Sequence, residues 1–194
     1  MSKGSDRRAT IRDVSAALFA THGVAATTVR DIGEAAGVLS GSLYHYFPSK
    51  NAILAEVLVE FMSDIHAAFR EVVARGESPA RTVRGMIHAT LRVIETHPHA
   101  TAIYQNDRAY LRDHDLLAEV DAQARLIREH WMAAITAGVQ DGTFRADIPV
   151  EIFYRSLRDA LWASMHWPSR DSHTTEELGD LLAALFLEGF TPRG

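Results

Sequence analysis

The sequence predicts an all-α protein of about nine helices: a small N-terminal module, residues 1–50, and a larger helical body, residues 51–194. Three observations carry this. Apolar residues recur at spacings of three and four along almost the whole chain. No segment alternates apolar and polar residues as a half-buried strand would. Helix start and stop residues recur between the periodic segments, with Thr28-x-x-Asp31 and Thr174-x-x-Glu177 at starts and Gly23, Gly76 and Pro168 at ends.

Ile11, Val14 and Leu18 place a first helix over about 7–22, closed by Gly23. Thr28 starts a second, short helix, which Gly37 interrupts. A third fits Ser40 to Phe47 and ends at Pro48, with Ser49 as the next cap. Ile53, Leu54, Val57, Leu58, Phe61, Ile65 and Phe69 keep one apolar face for about 25 residues, to Gly76. Ser78-Pro79 opens the next helix, striped by Val83, Ile87, Leu91 and Ile94 and ended before Pro98. A short helix follows around 100–112, then a long one over about 115–140 that stops at Asp141-Gly142. Pro149 opens a helix to Trp167, and Thr174 caps the last one.

The chain has 194 residues, 47% hydrophobic and 23% charged, enough to bury a core and leave a soluble surface. It has no cysteine, which excludes disulfides, iron–sulfur clusters and a thiol nucleophile. The longest stretch without Asp, Glu, Lys or Arg, Val14 to Val29, is 16 residues long and contains polar groups, so no membrane span is expected. The first residues carry no signal-type apolar run, and a cytoplasmic location is expected. Charge is divided unevenly. Residues 1–55 hold six basic and four acidic side chains, a net of +2, whereas the rest hold 14 and 21, a net of −7. A positive head on an acidic body suits a protein that meets a polyanion at one end; ordinary scatter of charge would look similar.

Two short helices joined at a glycine form a helix-turn-helix. Ile32, Ala36, Val38, Leu43 and Phe47 are expected on its inner faces, with small Ala35 and Ala36 allowing a close crossing. Ser40, Gly41, Ser42, Tyr44 and His45 face outward and leave room for the second helix to enter a major groove. Tyr44 is expected against a thymine methyl or a phosphate, His45 against a base acceptor, and Arg30 against a base edge or the backbone. Thr28, Ser42 and Lys50 suit phosphates. Each of these is also an ordinary exposed polar residue taken alone.

Residues 10–54 resemble the DNA-binding domain of the TetR family of bacterial regulators, through Thr27-Thr28-Val-Arg-Asp-Ile, Ala-Ala-Gly-Val, Gly-Ser-Leu-Tyr-His-Tyr-Phe and Ser-Lys. Gly142-Thr-Phe-Arg-Ala-Asp147 resembles that family's link into its penultimate helix. One departure is Leu39, where the family usually has the serine or threonine that caps the recognition helix; Ser40 is expected to cap here instead. The resemblance implies a homodimer on a palindromic, double-stranded operator, paired through the last two helices, with Leu157, Leu161, Leu178, Leu182, Leu185 and Phe186 as the apolar seam. An intrachain core would use many of the same residues.

It also implies a small-molecule effector in the body, for which His88, Tyr104, Gln105, Tyr110, Trp131, Arg158, Trp162 and His166 are the candidate lining. Arg158 and Trp162 stand four apart on one helix face, where the arginine meets either an effector anion or a structural partner. Arg155 is expected to pair with Asp159, leaving Arg158 unengaged. Gly-Val-Leu-Ser-Gly-Ser-Leu-Tyr-His, Ile103-Tyr-Gln-Asn and Tyr154-Arg-Ser-Leu-Arg-Asp-Ala-Leu-Trp162 are similar to the KstR-type group of actinobacterial repressors of steroid and fatty-acid breakdown. That likeness implies an acyl-CoA effector. A multidrug-type repressor with a cationic or neutral ligand is the alternative. An enzyme is not expected, because no His-Glu-x-x-His, P-loop or dinucleotide fingerprint occurs. His97-Pro-His99 reads as a solvated turn, and neither a cofactor, a metal nor a membrane partner is expected.

Overall fold

The computed structural model describes residues 3–168 and 170–190. Among these residues there are ten α-helices and no strand. They are α1 (Lys3–His22), α2 (Val29–Ala36), α3 (Ser40–Leu43), α4 (Lys50–Ala74), α5 (Pro79–Thr96), α6 (Pro98–Asn106), α7 (Arg108–Asp113), α8 (Leu117–Gln140), α9 (Val150–Ala163) and α10 (Thr175–Phe190). No helix is long and apolar enough to cross a membrane among the described residues.

The local rules account for most boundaries. Both expected capping boxes form. Asp31 N–H donates to Thr28 Oγ1 at 3.2 Å, and Glu177 N–H donates to Thr174 Oγ1 at 3.2 Å. Ser49 Oγ accepts the Ala52 amide at 3.1 Å, as a cap of α4 does. His97-Pro-His99, expected as a solvated turn, opens α6 with Pro98 as its first residue, and α1 begins at Lys3, earlier than expected. Three further boundaries differ from expectation. The helix expected over 100–112 is two helices, broken at Asp107, whose backbone (φ −102°, ψ 20°) leaves helical geometry. The third helix ends at Leu43 and continues as turns, not to Phe47. The helix opened by Pro149 ends at Ala163 and tightens into a 3-10 turn, Ser164–His166, before Trp167.

Packing divides the chain into two compact units. One comprises the residues up to Ser63 with His97–Gln123; the other comprises Asp64–Thr96 with the residues from Ala124 onward. In the first, α1 packs on α2 and α6, and α2 packs on α3. Its core holds Ile11, Phe19, Ile32, Leu43, Phe47, Leu54, Leu58 and Ile103, all fully buried or nearly so. In the second, α5 packs on α9 and most extensively on α10. Phe69, Ile87, Ile135, Phe144, Leu157 and Leu161 are buried there. The apolar stripes read on α4 and α5 are the buried faces; on α1 only Ile11 of the expected stripe is buried, and Ser15, Ala16 and Phe19 complete that face while Val14 and Leu18 are half-buried.

Candidate nucleic-acid interface and effector side chains

The helix-turn-helix is built from α2 and α3. Thr28 caps α2, and its backbone N–H and hydroxyl both donate to Asp31 Oδ2, at 2.8 and 2.7 Å. These two bonds, the amide first, hold the Asp31 carboxyl below the usual carboxylate range. Gly37 ends α2 in the left-handed region (φ 65°), which a residue with a side chain rarely adopts. The turn brings α3 back onto Gly33. A β-carbon there would stand 2.9 Å from the Val38 carbonyl oxygen and 3.3 Å from the Ser40 nitrogen and hydroxyl. Gly33, and not the expected Ala35, is what permits the close crossing; Ala35 is exposed.

Leu39, not Ser40, is the N-cap of α3, contrary to expectation. Its backbone is extended (φ −65°, ψ 139°), and its carbonyl accepts the Ser42 and Leu43 amides at 2.8 and 3.3 Å. No side chain caps the helix, because Ser40 is already its first residue and packs toward Gly33. Leu43 and Phe47 are buried beneath α3, whereas Gly41, Tyr44 and His45 are exposed, Tyr44 by 55% and the uncapped Leu39 by 80%. Ser40 and Ser42 are half-buried, and Thr28 and Arg30 are exposed. An apolar anchor below and short or flat polar groups above is the surface a groove-reading helix presents.

Lys50 is placed differently from expectation. Its ammonium donates to the carbonyl oxygens of Val24 and Thr27, at 2.6 and 2.8 Å, in the turn between α1 and α2. It also lies 5.6 Å from the centre of the Tyr110 ring. Burial pulls its pKa below the ordinary lysine value. The Tyr110 hydroxyl donates to Asn51 Oδ1 at 2.9 Å, and the Val24 amide donates to Asp107 Oδ1 at 3.3 Å. Asn51 and Asp107 carried no sequence signal, because their partners are 59 and 83 residues away.

The candidate effector side chains fall in both units, each taken by itself. In the first, the Arg108 guanidinium lies 4.8 Å over the Tyr104 ring, Gln105 is half-buried, and Tyr110 stacks on His114 at 3.9 Å. In the second, Trp131 is buried edge-on against Phe69 at 5.3 Å. His88 is buried on α5 against Gly179 of α10, with its Nε2 3.2 Å from Asp180 Oδ1. Arg158 donates through Nε and Nη2 to Asp159 Oδ1 at 2.8 and 2.6 Å, so the adjacent carboxylate does meet it. Arg155 pairs instead with Glu151, one turn back, at 2.8 Å. Trp162 is half-buried one turn beyond Arg158, and His166 is exposed in the 3-10 turn.

The expected dimer seam divides in two. Leu157, Leu161, Leu178 and Leu182 are buried within their own unit, while Phe186 is half-buried with its ring edge-on to Phe153 at 5.9 Å. Leu185 is 67% exposed. Beside it on α10 stands Leu181, and on α9 Ile152 is exposed too.

With this geometry in place, comparison with known proteins is decisive. Residues 11–57 match the model of bacterial regulatory proteins of the tetR family, and residues 76–190 match the tetracyclin repressor-like C-terminal domain. The chain belongs to the TetR family. It is thus a helix-turn-helix DNA-binding regulator of transcription, and this family relation places it among regulators, not enzymes. This TetR-family chain is 41% identical to the HTH-type transcriptional repressor KstR2 of Rhodococcus jostii (strain RHA1), over 84% of its own length and 80% of the relative's. It is 34% identical to the repressor KstR2 of Mycobacterium tuberculosis (strain ATCC 25618 / H37Rv), over 98% of its length and 96% of the relative's. The solved structure of the ketosteroid transcriptional regulator KstR2 of Mycobacterium tuberculosis superimposes with a TM-score of 0.88 at 33% identity, covering 96% of each chain.

Proposed function

We propose that this protein is a homodimeric repressor that leaves a palindromic operator when a small anionic effector, an acyl-CoA thioester of lipid or steroid breakdown, binds its body. In this reading residues 1–50 are the DNA-binding domain, residues 51–194 bind effector and partner, and the protein works in the cytoplasm. The observation that carries the DNA half is the exposed face of α3 and the turn after it, with Gly41, Tyr44 and His45 standing above buried Leu43 and Phe47. Ser40, Ser42, Thr28 and Arg30 supply the flanking base and phosphate contacts. Two such helices about 34–36 Å apart, or a multiple of that, read two half-sites. Lys50 contributes by holding the α1–α2 turn, since its ammonium is already engaged there.

The effector half rests on likeness to the KstR2 repressors and on Arg158 with Trp162 on one face of α9. The Arg158 guanidinium lies 5.7 Å from the centre of the Tyr154 ring, and a guanidinium among aromatic side chains suits an anion attached to a flat or apolar group. Neither a carboxylate nor an arginine is fully buried among the described residues, so the choice of an acyl-CoA over a cationic drug rests on the likeness to the KstR2 repressors. Leu181, Leu185 and Ile152 supply the apolar part of the dimer contact.

Effector binding shifts α4, whose buried Phe61, Ile65 and Phe69 carry the movement, and the two recognition helices leave register. A differential affinity of about 10²-fold between the two states lowers operator affinity by about 2.7 kcal/mol. The test is a gel shift with the DNA upstream of the protein's own gene, repeated with a panel of acyl-CoA thioesters. Specific binding released by one thioester supports the proposal. Specific binding that no thioester affects rejects the acyl-CoA half, and no specific binding removes the support for this operator.

A further inference from the structure

We infer that Lys50, Asn51, Asp107 and Tyr110 form a clamp that positions the α2–α3 pair for DNA, which makes the α6–α7 break part of the operator-binding apparatus. The inference rests on the DNA-binding reading above and deepens it.

The α1–α2 turn is gripped from two directions. From the start of α4, the Lys50 ammonium closes on the carbonyls of Val24 and Thr27. From the α6–α7 break, Asp107 Oδ1 takes the Val24 amide. Tyr110 on α7 joins the two grips, because its ring covers the Lys50 ammonium and its hydroxyl bonds Asn51, the residue after Lys50. The gripped turn ends one residue before Thr28, whose hydroxyl and amide set the start of α2. The α2–α3 crossing has no slack at Gly33, Val38 and Ser40. A tilt of the turn therefore moves α2 and α3 as one body and carries Tyr44 with them. Lysine is chosen here for its three donors, two of which meet carbonyls of a partly buried turn. Removing it leaves two carbonyls short of a partner, which weakens the turn itself.

A phosphate contact and a positioning contact differ in salt dependence. Loss of a lysine that touches a phosphate lowers the slope of log affinity against log salt by about one per site, hence about two in a dimer. Loss of a positioning lysine lowers affinity and leaves the slope unchanged.

The experiment uses the full chain and three variants, Lys50→Met, Asp107→Ala, which removes the acceptor of the Val24 amide, and Tyr110→Leu, with Tyr110→Phe as the conservative fourth. Amide hydrogen exchange is read over residues 24–36, with α5 as the internal control. Operator affinity is measured by titration across a salt series. The expected result is exchange over 24–36 about tenfold faster in each of the three variants, α5 unchanged, and operator affinity about tenfold lower with the wild-type slope. Tyr110→Phe, which keeps the ring over Lys50 and loses only the bond to Asn51, gives an effect between those of the wild type and Tyr110→Leu. Unchanged exchange over 24–36 overturns the clamp, as does a slope reduced by about two in Lys50→Met. If Lys50→Met does not fold, Asp107→Ala and Tyr110→Leu carry the same test. Accelerated exchange with no DNA binding by the wild type keeps the clamp and removes the DNA reading. Unchanged exchange with intact operator binding does the reverse.

Discussion

His88 of α5 occupies the space that Gly179 of α10 leaves open: a β-carbon at Gly179 would stand 2.4 Å from His88 Nδ1 and 2.6 Å from its Cε1. The imidazole is buried, and its Nε2 faces Asp180 at 3.2 Å, while Glu176 lies 3.4 Å from Nδ1. Arg84 and Arg92, one turn to either side of His88, meet the same two carboxylates at 3.2 and 3.5 Å. A shape fit thus registers α5 against α10, and a ladder of exposed ion pairs borders it. The ion pairs are exposed enough to contribute little; the fit of ring to glycine fixes the register.

Gly179→Ala is therefore expected to destabilise the protein by about 1–3 kcal/mol, because the buried ring has to leave its rotamer or the helices have to part. Urea unfolding followed by circular dichroism checks this. A midpoint equal to that of the wild type would mean that the ring shifts without cost.

Asp31 gives a pH dependence of known sign. Its carboxyl is held low by the Thr28 amide and hydroxyl, so its folded pKa lies below the unfolded one. Its contribution to stability is complete above the usual carboxylate range and is lost as pH falls through the lower folded value. Asp31→Asn should be less stable than the wild type at neutral pH, and the gap between their unfolding midpoints should close in acid. A gap that stays constant with pH would show that the cap works without the charge.

Gly33→Ala tests the helix-turn-helix crossing. The added carbon meets the Val38 carbonyl oxygen at 2.9 Å, and backbone does not yield as a side-chain tip does. Overpacking of this kind costs about 1–3 kcal/mol, so operator affinity should fall by about five- to 150-fold while helix content stays near wild type. A titration of labelled operator DNA reads this directly, and full retained affinity would place the recognition helix elsewhere.

Leu181→Glu combined with Leu185→Glu places two charges on the exposed apolar edge of α10. Both side chains are solvent-facing in the single chain, so folding stability should change by less than about 0.5 kcal/mol each. Sedimentation should then report a monomer in place of the proposed dimer. A dimer that persists would move the interface off this edge.

Arg158→Met tests the effector reading. DNA binding should survive, and the response to the releasing thioester should weaken by about tenfold or more, since a charge-assisted contact is removed. Response measured by gel shift at several effector concentrations decides it. An unchanged response would leave Asp159, 2.6 Å away, and the Tyr154 ring, 5.7 Å away, as the reasons for the arginine.

The parts of this protein legible in its sequence are those that close within one helical turn. Thr28 reaches Asp31 and Thr174 reaches Glu177 three residues on, Gly37 turns α2 locally, and the stripes on α4 and α5 repeat every three or four residues. Such interactions depend on neighbours along the chain, and the helix-turn-helix is made largely of them. What tertiary structure decided lies at long separation. Lys50 would have suited a phosphate by its place at a helix start, yet the fold brings two carbonyls, 26 and 23 residues back, within reach of its ammonium. Which carboxylates the α9 arginines meet was decided by side-chain direction and not by spacing: Arg158 donates to adjacent Asp159, and Arg155 to Glu151 one turn back. Leu157 and Leu182 went to the core and Leu185 to the surface, although all three read alike as apolar helix positions. A helix shows which residues share a face, but what covers that face depends on the packing of the remaining helices, which no local pattern encodes.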